Sequence, residues 1–210
     1  MNKTAKNRLI TMLNARQFAQ ENMSSNPMFY HTFQHVEKML DDLDELNKEL
    51  KLSEEEYYTL YIAICYHDIV YDPYSCTNEK DSANLFHERY LMYNNATFTK
   101  KVEKLIMSTQ VIFGIDLNTH TDDKLEKVIH TLDWNIFVDY DACVESRKKV
   151  FFEACAKRFE PITILENQIN FYYSIINSMK NKNYKIDYFH EENNKKALNT
   201  LETLVKQRTF

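Results

Sequence analysis

The chain has 210 residues, of which 44% are hydrophobic and 27% are charged, and its formal net charge is −5 at pH 7. This length supports one full hydrophobic core or at most two small ones, and the composition is that of a soluble globular protein. One glycine and three prolines argue against many short strands and favour long helices. The acidic balance argues against an extended nucleic-acid groove, and no stretch reaches the roughly 20 apolar residues of a membrane span.

The four cysteines show no C-x-x-C spacing, and the N-terminus has no uninterrupted apolar segment of the secretory kind. Reduced thiols are the simplest interpretation. We therefore expect a cytoplasmic protein that does not associate with a membrane.

Apolar residues recur at helical spacing along most of the chain. In order, the patterns predict helices over 4–22, 30–50, 53–68, from 78 onward, around 102–109, and over 122–137, 144–159, 162–179 and 191–206. No repeat or low-complexity linker divides them. The sequence thus predicts one all-α domain over residues 1–210.

The third predicted helix ends at a His-Asp pair, His67-Asp68. His67 shares a helical face with three apolar residues: Leu60, Ala63 and Ile64. An imidazole and a carboxylate carried into an apolar interior cost free energy unless they are paired or hold a metal ion. A satisfied core pair near a helix end is the alternative interpretation of this dipeptide.

A second predicted helix offers two more histidines, His31 and His35, four residues apart and hence on one face. With two segments directing imidazoles inward, a metal site becomes the favoured hypothesis. HxxxH spacing also occurs in zinc proteases, where a glutamate follows the first histidine. Here that residue is Thr32, which argues against a protease.

Carboxylates near these histidines extend the candidate site. Asp72 and Glu79 follow the His-Asp pair closely, although a turn residue and a first-turn helix acid are the plainer interpretations. Further on, Asp133 and Asn135 lie at the edge of a predicted apolar stripe, and two residues so spaced on a helix do not point the same way. We expect Asp133 to face the site as an oxygen ligand.

The order of these motifs resembles the HD superfamily of metal-dependent phosphohydrolases, and most closely its predicted-phosphohydrolase branch. That branch shares segments of the types YHNxxHVxxML, FHDxVYDP, NExxSA and LDxDLxILG. The corresponding segments here are YHTFQHVEKML at 30–40, YHDIVYDP at 66–73, NEKDSA at 78–83 and LDWNIF at 132–137.

The resemblance implies an HD-type helical bundle in which His35, His67 and Asp68 are metal ligands and His31 contacts substrate or supports a ligand. This chain differs from the family pattern at two positions. Asn135 replaces the second aspartate of the late motif, and Ile112 stands where the family tends to have a histidine. A second metal ion therefore has little to hold it.

The expected activity is hydrolysis of a small phosphoester, such as a nucleotide, by a water activated on one divalent ion. Nitrogen and oxygen ligands with open positions suit Mn, Fe, Co, Ni or Zn. Asp72 or Glu79 would position the water or protonate the leaving group, and His31 would contact the phosphate. The alternatives are a non-catalytic metal- or nucleotide-binding HD scaffold with a degenerate site, and a diiron oxygenase, which needs more histidines.

Overall fold

A computed structural model describes residues 3–24, 28–73, 75–90, 95–110, 121–156, 160–181 and 184–207. Within these ranges the chain forms nine α-helices, one short 3₁₀ helix and no strand, which confirms the all-α prediction. The α-helices are α1 Lys3–Met23, α2 Phe33–Leu50, α3 Glu54–Tyr66, α4 Asn78–Tyr90, α5 Ala96–Ser108, α6 Lys124–Trp134, α7 Tyr140–Ala156, α8 Pro161–Lys180 and α9 Glu191–Gln207.

The helices group into two compact units. The N-terminal unit, Met1–Gln110, contains α1 to α5, and the C-terminal unit, Val111–Phe210, contains α6 to α9. One domain over residues 1–210 stays a prediction. Among the helices in the described ranges, none combines the length with the apolar character that crossing a bilayer requires.

Helix α3 is the centre of the N-terminal unit and contacts α1, α2, α4 and α5. Its start follows from the sequence Ser53-Glu54-Glu55-Glu56. The Ser53 hydroxyl accepts from the Glu56 amide at 3.3 Å, and the Glu56 carboxylate accepts from the Ser53 amide at 2.7 Å. This reciprocal cap satisfies two backbone donors that the first turn leaves open. Beyond it, every residue from 59 to 66 is buried.

Helix α2 packs its apolar stripe against the unit's core, but it starts later than the sequence predicts. The stripe consists of Phe33, Val36, Met39, Leu40 and Leu43. Thr32 has extended backbone angles (φ −116°, ψ 168°) and precedes the first helical residue. The prediction that His31 and His35 share one face of one helix is therefore wrong, because His31 lies before α2.

The C-terminal unit begins its described part at a helix cap that the sequence signals. The Asp123 carboxylate accepts from the amides of Leu125 and Glu126, at 2.9 and 3.4 Å, and so starts α6. The predicted helix to residue 137 is wrong in its last turn, since α6 ends at Trp134 and a 3₁₀ helix, Asn135–Val138, follows. The core of the unit consists of Trp134, Cys143, Tyr172, Ile175, Ile176, Tyr184, Ile186, Ala197, Leu201 and Leu204.

Candidate metal centre

Two helix ends of the N-terminal unit bring a carboxylate and two imidazoles together. His35 lies in the first turn of α2, and His67 and Asp68 directly follow the last residue of α3. The side chain of His67 is 1% exposed, that of His35 10% and that of Asp68 16%. All three side chains are thus largely withdrawn from solvent.

Three electron-pair donors of this group converge on one point. His67 Nε2 lies 3.4 Å from His35 Nε2 and 3.1 Å from Asp68 Oδ2, and His35 Nε2 lies 3.8 Å from the same carboxylate oxygen. A point equidistant from three atoms so separated lies about 2.0 Å from each, and bonds from zinc to nitrogen or oxygen ligands are about 2.0–2.2 Å long. The donor set therefore fits one divalent ion without rearrangement.

The second ring nitrogen of His67, Nδ1, makes a hydrogen bond that favours metal binding through Nε2. His67 Nδ1 lies 2.9 Å from the carbonyl oxygen of Ile64, which can only accept a hydrogen bond. The ring proton of a neutral His67 is therefore on Nδ1, and the lone pair of Nε2 faces His35 and Asp68. A backbone carbonyl that fixes the tautomer in this way is typical of metal-binding histidines.

The same contacts allow one other arrangement, in which His67 is an imidazolium. Burial raises the pKa of the Asp68 carboxyl, whereas the charge of His67 and the hydrogen bond between the two side chains lower it. The lowering prevails, with His31 and His35 adding to it, so the pKa of Asp68 lies well below its ordinary value. Asp68 is an anion at neutral pH, as either a metal ligand or the partner of a cation.

His31 lies before α2 and stacks on a tyrosine of the loop that follows Asp68. The ring centroids of His31 and Tyr71 are 3.4 Å apart, and their planes differ by 17°. Tyr30 contacts both histidines of this region, edge-on to His31 at 4.9 Å and tilted to His35 at 5.1 Å. His31 is thus held by aromatic contacts beside the candidate ligands.

Two polar residues of α4 fasten the loop after Asp68. The Asn78 side chain accepts from the amide of Asp72 at 2.9 Å and donates to its carbonyl at 3.0 Å. One turn further along α4, the Ser82 hydroxyl accepts from the amide of Val70 at 3.1 Å and donates to its carbonyl at 3.3 Å. Both side chains are buried and lie on one face of α4. We call this pair the loop clamp.

The two predicted proton-transfer acids both lie beside Asn78 of the loop clamp. Asp72 is exposed, and its backbone is held by Asn78. Glu79 is partly buried in the first turn of α4. Their roles in proton transfer stay predictions.

Asp133, the fourth predicted ligand, belongs to the C-terminal unit. It is the penultimate residue of α6 and is partly buried, as the apolar stripe predicted. Within its unit, its charge acts on the pKa values of His130 and Tyr184. Asn135 is the first residue of the 3₁₀ helix, and Ile112 lies outside the described residues. A ligand role for Asp133 stays a prediction.

Residue patterns alone missed the roles of Tyr71, Asn78 and Ser82. The only signal was indirect, since these residues belong to the segments that carry the HD resemblance. Asn78 and Ser82 are polar residues four apart on a helix, which is the spacing of a shared face. Nothing in that spacing tells which backbone atoms they bind.

Comparison with known proteins gives no assignment: no family model matches the chain, and no curated protein or solved structure matches it. Inference about function therefore depends on the geometry of the site and on the four sequence segments that resemble the HD superfamily.

Proposed function

We propose that the chain is a metal-dependent phosphohydrolase of the HD type, which binds one divalent ion through His35, His67 and Asp68 and hydrolyses a small phosphoester such as a nucleotide. The observation that carries the proposal is the convergence of three donor atoms at the separations of a ligand set. The all-α fold and the order of the sequence motifs support it.

Two imidazole nitrogens and a carboxylate oxygen suit Mn, Fe, Co, Ni or Zn and leave coordination positions open. An ion bound there would lower the pKa of a coordinated water and neutralise charge on a phosphoryl oxygen. The role of this chain is to hold the ligands in place. Ile64 fixes the tautomer of His67, and burial limits the access of bulk water.

Other groups of the N-terminal unit would handle the substrate. His31, held against Tyr71, is the proposed phosphate contact, since a ring clamped on one face has less freedom to lose on binding. Asp72 or Glu79 would position the water or protonate the leaving group. Asp133 is the proposed fourth ligand.

A second candidate function is a non-catalytic metal- or nucleotide-binding scaffold. Asn135 favours it, because a neutral amide oxygen is a weaker ligand for a dipositive ion than the carboxylate that the family has at this position. Such a protein would bind metal and phosphate compounds but would not turn them over.

The test begins with elemental analysis of the purified chain after reconstitution with each candidate metal. We expect about one ion per chain. The loaded protein is then assayed on a panel of phosphomonoesters and phosphodiesters, with the metal-free protein as control. Turnover that requires the metal supports the enzyme, and metal binding without turnover of any ester supports the scaffold. A stoichiometry of two would contradict the single-ion centre and favour the oxygenase alternative.

We also propose a cytoplasmic location. All four cysteines are free thiols, and Cys76 is exposed, which suits a reducing compartment. Fractionation of cells that express the tagged chain tests this.

A further inference from the structure

The N-terminal unit contains a second place for a ligand, whose lining includes none of the residues assigned to the metal. It is a cavity of about 250 Å³ between α1, α4 and the last turn of α3. Ligand pockets for drug-sized molecules measure about 300–1,000 Å³, so this cavity suits a small metabolite. Its lining includes Thr11, Asn14, Phe18, Glu21, Tyr66 and Arg89.

Arg89 is held in the cavity wall by neutral partners. Its guanidinium carbon lies 3.5 Å from the centroid of the Phe18 ring, and its Nε donates to the Tyr66 hydroxyl at 3.2 Å. Among the described residues no carboxylate forms an ion pair with Arg89. Arg89 is exposed, and these contacts orient its guanidinium without giving it an ionic partner among the described residues. A guanidinium so placed suits a carboxylate or phosphate group.

A carboxylate lines the same cavity. Glu21 accepts a hydrogen bond from the Gln17 side chain at 2.8 Å, one turn back on α1. Within the described part of the chain, no ion pair joins Glu21 to Arg89. Opposite charges therefore share one cavity without neutralising each other. A bare anion would meet Glu21, whereas a molecule with both an ammonium and a carboxylate group would satisfy both side chains.

Helix α1 contributes polar side chains to the rim of this cavity, where Asn14, Gln17 and Glu21 are exposed. Thr11, Asn14, Gln17 and Glu21 line the cavity, while three large apolar residues of the same helix remain 46–55% exposed: Leu9, Ile10 and Leu13. The floor is aromatic, since the Phe18 and Tyr66 rings stack at 5.7 Å.

We propose that this cavity binds a small free amino acid with an apolar side chain. The Arg89 guanidinium binds the carboxylate, Glu21 binds the ammonium group, and the side chain packs on the aromatic floor. The proposal does not depend on the proposed phosphohydrolase activity, because none of these residues is assigned to the metal centre.

The test is isothermal titration calorimetry of the full chain with L-leucine. Two analogues serve as matched probes: 4-methylpentanoate lacks the amino group, and 3-methylbutylamine lacks the carboxylate. We expect leucine to bind and each analogue to bind roughly tenfold more weakly, which is the scale of one charge-assisted hydrogen bond. Absence of leucine binding overturns the site. Equal affinity for leucine and 4-methylpentanoate overturns the assignment of an amino acid.

Variants connect the binding to the cavity. Arg89→Gln and Glu21→Gln should each weaken leucine binding roughly tenfold. Arg8→Gln is the control, because Arg8 lies on α1 like Glu21 and over an aromatic ring like Arg89, that of Tyr58, but does not line the cavity. Its affinity should stay within about twofold of wild type. Glu21 is exposed, so Glu21→Gln remains informative even if Arg89→Gln does not fold. Wild-type affinity in a folded Glu21→Gln variant overturns the proposal.

Discussion

A buried histidine needs a partner at each ring nitrogen. In His67 a nearby main-chain carbonyl binds one nitrogen and thereby leaves the other for the side chains around it. The carbonyl of Ile64, one turn back in α3, accepts the Nδ1 proton. The remaining nitrogen then faces His35 and Asp68 at distances at which three bare donors would repel one another. Either a proton or a metal ion must lie between them.

The first prediction separates these two possibilities at single residues. His67→Ala and His35→Ala should each weaken metal affinity more than about 100-fold, because even the loss of a group that only supports a ligand costs about 10–100-fold. Metal titration of the purified variants measures this. His87→Ala is the control, since His87 is an exposed histidine of the same unit that pairs with Glu103.

Two outcomes would contradict the metal centre. Unchanged metal affinity in His67→Ala would remove this residue from the ligand set. If the wild-type protein binds no metal and the His67→Ala variant unfolds, His67 and Asp68 form a structural ion pair. Removal of one member of a buried pair leaves the other charge uncompensated. Circular dichroism distinguishes these results.

The second prediction concerns Asp133 and Asn135, for which the resemblance and the stripe pattern favour different residues as the late ligand. Asp133 carries the charge, so Asp133→Asn should weaken metal affinity and hydrolysis, whereas Asn135→Asp should leave both unchanged. The two variants are compared in metal titrations and in the ester assay. If Asp133→Asn is silent and Asn135→Asp strongly raises activity, the native chain has a degenerate site and the scaffold is favoured.

At the scale of elements, helix α4 determines the course of the loop that follows the proposed metal ligands His67 and Asp68. Asn78 and Ser82 bind backbone atoms of residues two apart, Asp72 and Val70. The residue between them, Tyr71, stacks on His31. The loop clamp therefore links the start of α4 to the proposed phosphate contact.

The third prediction tests the loop clamp. Asn78→Ala and Ser82→Ala should each destabilise the protein by about 1–3 kcal/mol, since each leaves buried polar groups without a partner. Both should lower turnover of any substrate found, while metal affinity stays close to wild type because the proposed ligands His35, His67 and Asp68 lie outside the clamped loop.

Ser108→Ala is the control for this test, because the Ser108 hydroxyl binds only a carbonyl of its own helix, that of Leu105. Thermal unfolding and the ratio of kcat to KM are the measurements. A loss of stability with unchanged turnover would show that the loop clamp does not position a substrate-handling group.

The sequence predicted most helices because their signals are local. Ser53 and Asp123 cap helices where their side-chain chemistry indicates. The predicted start at Tyr30 failed because Thr32 is extended, which apolar spacing does not report. The predicted helix through Phe137 failed because the backbone tightens into a 3₁₀ turn that packs on α7 and α9, a tertiary effect.

The part of the candidate site that consists of characteristic side chains could be predicted from the sequence. The part that consists of hydrogen bonds to main-chain atoms could not. His35, His67 and Asp68 are recognisable by residue type, because imidazoles and a carboxylate in apolar surroundings need a partner or a metal ion. The contacts of Asn78 and Ser82 are with main-chain atoms of another segment, and any residues at 70 and 72 other than proline would offer the same amides and carbonyls. Side-chain patterns therefore hold no signal for the loop clamp.

For the whole molecule, both units bury ionisable side chains. The N-terminal unit brings His35, His67 and Asp68 into contact, with His67 almost completely buried. The C-terminal unit also buries a carboxylate, Asp187, which contacts His190 at 3.0 Å, and it buries a neutral imidazole as well. His130 is 6% exposed, stacks on Trp134 at 5.4 Å, and its Nε2 donates to the carbonyl of Lys185 at 2.9 Å.

The last prediction follows from that neutral imidazole. Burial lowers the pKa of His130 to about 4, against the raising effects of the Lys185 carbonyl and of Asp133. In the unfolded chain the pKa is about 6.5, so between these values the unfolded state binds more protons than the folded state. The stabilisation is complete above about pH 6.5 and is lost as the pH falls toward 4.

The metal-free protein should therefore lose about 2 kcal/mol of unfolding free energy between pH 7 and pH 5 through this residue. Urea unfolding at both pH values, monitored by the fluorescence of Trp134 against which the imidazole lies, measures the loss. His130→Gln removes the titrating group but keeps an amide donor for the carbonyl of Lys185. The loss of unfolding free energy between pH 7 and pH 5 should therefore be about 2 kcal/mol smaller in this variant than in wild type. If the unfolding free energies of wild type and variant depend equally on pH, His130 takes up its proton as readily in the folded protein as in the unfolded chain. The imidazole would then be accessible to solvent.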